Sequence, residues 1–220
     1  MVPLSFAGET FLASASGALF WRAEQALLVA DLHLEKASWF ARLGQLLPPY
    51  DSHATLTAIA DEVERSGATR LYCLGDSFHD RFGCERLPAA SRALLEEMTA
   101  RLDWTWIVGN HDPGFADHCG GRIVDEAEVG AIVLRHQAIP GDPRPEISGH
   151  FHPKLRLSLN GRRISRRCFV ASECKLILPA FGSLTGGLDA RHPEIVRAVS
   201  GDAVALVPVA DRLLRFPIAA

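Results

Sequence analysis

Apolar positions along the chain alternate between two arrangements: short unbroken runs, and longer stretches with apolar residues three and four apart. Residues 10–13 and 18–21, punctuated by Gly17, predict strands. Residues 26–30, Ala-Leu-Leu-Val-Ala, are apolar without interruption, as expected of a strand covered on both faces. Pro48-Pro49-Tyr50-Asp51 then breaks the chain, with Asp51 placed to cap a helix. Leu56, Ile59, Ala60 and Val63 give that helix one apolar face, and Gly67 closes it. A strand at 70–74 ends in Gly75-Asp76. Pro88 opens a second helix carrying Leu94, Leu95, Met98 and Leu102, and a third strand at 104–108 ends in Gly109-Asn110-His111. Strand, helix, strand, helix, strand is α/β organisation.

The second half is richer in strands. Residues 131–134 lead to His136, and the turn-rich Gly141-Asp142-Pro143-Arg144-Pro145 follows. Residues 155–159 and 164–170 flank Asn160-Gly161, a strong hairpin signal. Further strands are expected at 175–178, 203–207 and 213–216, with a short helix after His192-Pro193. No linker, repeat or low-complexity stretch interrupts the pattern. The expectation is one domain over residues 1–220, two stacked sheets with helices outside.

Composition narrows the class. With 48% hydrophobic and 22% charged residues the chain reads as an ordinary water-exposed globular protein. No run of about 18 apolar residues exists to span a membrane, and the first residues lack the basic and apolar regions of a signal peptide. Five scattered cysteines (Cys73, Cys84, Cys119, Cys168, Cys174) without a C-x-x-C pair suggest reduced thiols in a cytoplasm. A net charge of -3 excludes coating of nucleic acid by bulk charge, though not a nuclease whose cleft holds cations.

The polar clusters behind the runs carry the candidate chemistry. They are Asp31-Leu32-His33, Gly75-Asp76, Gly109-Asn110-His111-Asp112 and Ser148-Gly149-His150-Phe151-His152-Pro153. Ligands of sheets flanked by helices usually bind at the carboxyl ends of strands. Two imidazoles one residue apart sit badly on a helix but well on a tight loop. Asp31-Leu32-His33 or Gly75-Asp76 alone reads as an ordinary cap or turn, Asn110-His111-Asp112 says more, and Gly149-His150-Phe151-His152 is the strongest single piece; the four in order, each behind a β-type run, read as a metal site. A mixed oxygen and nitrogen donor set without thiolate suits Mn²⁺, Fe²⁺ or Zn²⁺. Asp76 is the candidate to bridge two ions roughly 3.5–4 Å apart, the spacing of two-metal phosphate chemistry. Asp31 and His33 can chelate one ion together, while His150 and His152 could serve one each. A hydroxide between the ions, its pKa lowered toward about 7, would be the nucleophile. His111, backed by Asp112, is placed to protonate the departing oxygen.

Of the nine histidines, five (His33, His111, His136, His150, His152) are assigned to this site. His136 is preferred to His118, which reads as a loop residue; His53 and His192 read as helix-start or surface residues. Lys36 and Arg42 either meet substrate phosphate or are solvated helix charges. His79 and Asp80 either line the cleft or are structural. Arg162, Arg163, Arg166 and Arg167 form a solvated β face or a contact to a phosphate backbone.

This motif series, with His136 between the third and fourth clusters, resembles that of the calcineurin-like metallophosphoesterases over residues 31–152. The resemblance implies a four-layer αββα sandwich. It implies one ion held by Asp31, His33, Asp76 and His152, and a second by Asp76, Asn110, His136 and His150, with His111 as proton donor. A closer resemblance extends over nearly the whole chain. Ala30-Asp31-Leu32-His33-Leu34-Glu35-Lys36-Ala37-Ser38, Leu47-Pro48-Pro49-Tyr50-Asp51 and the segment from Leu178 to Gly187 are similar to bacterial DNA-ligase-associated metallophosphoesterases. That group is described as DNA-damage-response endonucleases, associated with an ATP-dependent DNA ligase, a helicase and an exonuclease. Asp112 stands where the phosphoprotein phosphatase branch has Glu, and Asp80-Arg81 arrives one residue late for that branch, so protein phosphatase activity is not expected.

The expected function is therefore a cytoplasmic dinuclear-metal phosphodiesterase, with Mn²⁺ first among its metals, acting on DNA in repair. Two alternatives stand beside it: a hydrolase of cyclic nucleotides or nucleotide-sugar pyrophosphates, and a non-catalytic repair scaffold. No insertion resembling a lid is visible, which favours a polymer over a small molecule.

Overall fold

The computed structural model describes residues 1–112 and 120–218. Its first sheet has seven strands, β1 (Val2–Phe6), β2 (Glu9–Ala13), β3 (Leu19–Trp21), β4 (Ala26–Val29), β5 (Arg70–Leu74), β6 (Asp103–Ile107) and β7 (Arg122–Val124), in that spatial order. β1 to β4 form an antiparallel meander, whereas β4, β5, β6 and β7 run parallel. The parallel connections carry the helices: α1 (Lys36–Arg42) and α2 (Asp51–Ser66) follow β4, and α3 (Gly83–Arg86) and α4 (Ala89–Arg101) follow β5.

The chain continues through β8 (Ala127–Val129), β9 (Ile132–Leu134) and β10 (Glu146–Ser148) into a separate two-stranded ribbon, β11 (Lys154–Leu159) and β12 (Arg162–Arg167). It returns as β13 (Phe169–Ala171) and β14 (Lys175–Ile177), then α5 (Pro193–Val199), β15 (Ala203–Val209) and β16 (Arg212–Ile218). The second sheet has the order β16-β15-β13-β14-β10-β9-β8, with β9, β10 and β14 parallel.

Alternation along the apolar strands sends side chains to two different cores. Leu27 and Val29 of β4 pack with Leu56, Ile59 and Val63 of α2 and with Leu95 and Met98 of α4. Leu28, between them, faces the other way and joins Leu134, Ile147 and Leu176 of the second sheet. A third cluster joins Val170 and Ile177 to Ile195, Ala198 and Val199 of α5. The layers are thus helices, sheet, sheet, helix: the α/β sandwich that the pattern predicts, reached because both faces of β4 need cover.

Several local expectations are corrected. The helix α2 begins at Asp51 itself, with Tyr50 at its N-cap and no side-chain cap. The Asp51 carboxylate instead accepts the Ala37 amide at 3.0 Å and ties the start of α1 to α2. Residues 164–170 are not one strand: β12 pairs only with β11, and after Cys168 the chain enters the second sheet as β13. β1 goes beyond the sequence expectations, although Val2, Leu4 and Phe6 alternate with exposed residues and Pro3 suits an edge strand. Reduced thiols are found at Cys73, Cys168 and Cys174, but Cys84 is disulfide-bonded, against expectation. Cys119 and His118 lie outside the described residues. Among the described residues no helix is long and apolar enough to cross a membrane.

Candidate metal centre

The carboxyl ends of the parallel strands of both sheets meet along one edge, and their loops are stitched to one another. Asp31 donates its amide to the Gly75 carbonyl at 3.2 Å, and His33 donates to the Asp76 carbonyl at 2.9 Å. From the second sheet, the His150 amide lies 3.0 Å from Asp31 Oδ2, and the Phe181 amide reaches the Ala30 carbonyl at 2.8 Å. The turns needed for this are tight. Asp31, His33, Asp76, His150 and His152 all lie in the left-handed region, with φ of 54°, 46°, 47°, 73° and 50°. Each costs roughly 1–3 kcal/mol of strain, and such residues cluster at functional sites.

Three glycines before the candidate ligands make room for them. A Cβ on Gly75 would lie 2.2 Å from His136 Nδ1, one on Gly109 2.2 Å from the Asp76 amide, and one on Gly149 2.6 Å from Asp31 Oδ2. The close approach of another loop, more than turn geometry, therefore requires glycine at 109 and 149. Gly182 is a fourth such position: its Cβ would meet the Leu32 carbonyl at 2.2 Å. That contact gives the segment from Leu178 to Gly187 its physical sense, as a wedge behind the first donor loop.

The seven candidate ligands come together in two groups. In one, His33 Nε2 lies 3.3 Å from His152 Nε2 and 3.7 Å from Asp76 Oδ2, and His152 Nε2 lies 3.3 Å from Asp31 Oδ1. The ligating atoms of Asp31, His33, Asp76 and His152 all fall within 4.8 Å of one another. In the other, Asn110 Oδ1 lies 2.9 Å from His136 Nε2 and 3.0 Å from His150 Nδ1, and the two ring nitrogens are 3.1 Å apart. Asp76 belongs to both, because its Oδ1 lies 3.5 Å from His136 Nε2 while Oδ2 faces His33.

Electrostatics fits a cation here. Asp31 and Asp76 are 0% and 2% exposed, and buried carboxylates need a compensating charge. The imidazoles of His33 and His150 do not supply it. Burial, then the neighbouring His152, lowers the pKa of His33 to about 2, and burial followed by His136 lowers that of His150. Neutral imidazole is the form that ligates a metal. His33 Nδ1 has no hydrogen-bond partner although buried. The residues present are able to hold divalent metal.

His111 sits beside the shared aspartate, donating its amide to Asp76 Oδ1 at 2.8 Å. Behind its ring stands the His79 carbonyl, 3.1 Å from Nδ1, and not Asp112. Asp112 points inward instead and accepts the amides of Gly109, Ser77 and Phe78 at 3.0–3.2 Å. Its pKa is raised by burial, against the pull of those three bonds. Its carboxylate is fully engaged in holding the 109–112 turn against the loop after β5, which corrects the expected pairing with His111.

The expected substrate contacts lie on one side. Lys36 begins α1, and its pKa is lowered by desolvation. Arg42, His79, Asn110 and His111 line a cavity of about 580 Å³. The His79 ring is stacked between Phe40 (5.9 Å) and His111 (5.3 Å), and burial lowers its pKa to about 4. Arg167 bonds the Ser16 and Gly182 carbonyls, whereas Arg162, Arg163 and Arg166 are exposed. Local pattern could not reveal Trp39 and Phe82, which also line the cavity. Glu35, left-handed with φ 61°, bonds Ser52 through both its amide and its carboxylate and fixes α1 against α2.

The family model for calcineurin-like phosphoesterases matches residues 25–159. The chain belongs to that family. It is a metal-dependent phosphoesterase, which sets the scaffold alternative aside. The phosphoesterase is similar along its whole length to a nuclease, MPE, from Pseudomonas putida: 28% identity over 97% of this chain and 98% of that one, with a TM-score of 0.76. Yfce, a phosphoesterase from E. coli, aligns over 88% of this chain and 99% of its own at 15% identity and a TM-score of 0.44. Vps29 from Entamoeba histolytica aligns at 14% identity over 88% and 99%, with a TM-score of 0.35. No curated protein sequence matches the chain.

Proposed function

We propose that the phosphoesterase is a dinuclear-metal phosphodiesterase, a nuclease that cuts DNA in repair. The carrying observation is the pair of donor groups that share Asp76 beside His111. Asp31, His33, Asp76 and His152 would hold one divalent ion, and Asp76, Asn110, His136 and His150 the other, Mn²⁺ being the first candidate. When bound, such ions polarise the phosphoryl group and lower the pKa of water.

The chain's own residues do the rest. The hydrogen bond from its backbone amide to Asp76 sets His111 beside the shared aspartate, where the doubly protonated ring gives its Nε2 proton to the departing oxygen and is left neutral. The His79 carbonyl accepts from Nδ1 and leaves Nε2 turned toward the cleft. Lys36 and Arg42 add positive charge on the approach to the site, which suits an anionic polymer. The nuclease neighbour supports a nucleic acid as that polymer, and DNA is the one we propose. An ATP-dependent DNA ligase, a helicase and an exonuclease are the proposed partners, and the cytoplasm the proposed location. The reading is tested by turnover of bis-p-nitrophenyl phosphate, p-nitrophenyl phosphate and labelled single-stranded, nicked and duplex DNA. Cleavage of the diester and of DNA is expected; turnover of the monoester alone would replace the diesterase with a phosphatase.

A further inference from the structure

The cavity on the His111 side reaches past the donor groups and meets them at Asn110. At about 580 Å³ it falls within the ~300–1,000 Å³ of pockets that enclose small organic ligands. A phosphate group alone would need only cations there, yet two of its walls are aromatic. Trp39 stands half-buried on α1, its ring edge-on to His79 at 4.8 Å. Phe82 is 41% exposed, with the Arg81 guanidinium 4.5 Å from its centroid. Asp80, the carboxylate in the same wall, is held by Arg86 at 2.5 Å. Arg42 and Arg81 are thus left without a carboxylate partner among the described residues. Flat apolar faces beside unpaired guanidinium groups are what a base and its phosphate require together. An apolar protein side chain would leave both cations without a counter-charge.

Building on the phosphodiesterase reading, we infer that this cavity is a subsite for an unpaired nucleobase. The base stacks on Trp39 and on the Phe82 and Arg81 pair, and Arg42 meets the adjoining phosphate. The side of the scissile bond follows from the lining. His111 forms one wall and protonates the departing oxygen, so the base belongs to the nucleotide that leaves. A base inside a duplex has both faces covered by its neighbours and its edge by its partner.

The test uses the metal-loaded protein and thymidylyl-thymidine, which has one phosphodiester, beside two analogues that each lack one thymine. Removing the base on the leaving side is expected to lower kcat/KM about 5- to 150-fold, the usual range for one stacked base. Removing the other base should matter little. Trp39→Ala should lower kcat/KM on the full dinucleotide by a similar factor and make loss of that base inconsequential, whereas Trp39→Phe restores the discrimination. Phe82→Ala, at an exposed position, should show the same coupling. Binding is read separately from Trp39 fluorescence, since Trp21, Trp104 and Trp106 are only 2%, 2% and 1% exposed. An uncleavable methylphosphonate-linked oligothymidylate should quench it, and its fully abasic counterpart should not. If the dinucleotide is cleaved equally with and without either base, or if Trp39→Ala loses as much on the analogue as on the parent, the subsite is wrong and the diesterase stands. If bis-p-nitrophenyl phosphate is not hydrolysed at all, the diesterase reading fails and the subsite falls with it.

Discussion

Asp76 and Leu43 stand at the two extremes of one cleft. Asp76 is 2% exposed, strained at φ 47°, and held by the His111 amide and two facing imidazoles. Leu43 lines the cavity but is 60% exposed, at the loose end of α1. The floor of the site is over-determined: loops from both sheets hold one another, and four glycines leave no slack. The rim presents apolar and cationic faces to solvent, those of Leu43, Phe82 and Arg81. Chemistry that depends on fractions of an ångström is built on strand ends, and recognition is built on the surface around them.

This contrast can be broken at the floor first. Asp76→Asn should empty both metal sites and abolish turnover, checked by metal analysis alongside kcat. Retention of a full metal complement would show that the two groups do not share it. His111→Ala should retain its metals and lose about 10²–10⁴-fold in kcat; an unchanged rate would remove it from the chemistry. Asp112→Ala should cost about 10–100-fold in metal affinity, the usual range for a group that positions ligands. An effect confined to kcat, with metal affinity intact, would return Asp112 to the reaction itself. Chelation should lower the melting temperature by about 5–10 °C, because ions at a hundred times their Kd stabilise by about 2.7 kcal/mol. No shift in calorimetry would mean the carboxylates tolerate burial without cations. At the rim, Leu43→Ser should change stability by no more than about 0.5 kcal/mol, and a larger loss would show that the rim is packed more firmly than its exposure suggests.

The expectations that succeeded share one property: short-range pattern. Residues 70–74 read as a strand because the run is apolar and ends at Gly75-Asp76, and β5 has those bounds. Gly67 closes α2 in the left-handed conformation, as the glycine signal implies. Asn160 and Gly161 have φ of 49° and 75°, the hairpin turn their identities demand. The corrections share another property, a partner distant in sequence. Asp51 looks like a cap because it precedes a helix, but its carboxylate is claimed by Ala37 of α1. Asp112 follows His111 in sequence, yet two of the three amides it accepts are those of Ser77 and Phe78, 35 and 34 residues away. Cys168 ends one strand pairing and begins another because ribbon and sheet compete for the backbone on either side.

The linear order of residues by itself determined the strands β2 to β6, the helices α2 and α4 between the last three of them, and which polar side chains stand at their carboxyl ends. Those features follow from periodicity and turn chemistry, which act over a few residues. Only the tertiary structure decided that the two sheets present their ends to one edge, that Asp76 faces both donor groups, and that Trp39 and Phe82 wall a cavity beside His111. These depend on burying both faces of β4 at once, a demand met by residues more than a hundred positions apart, which no local pattern encodes.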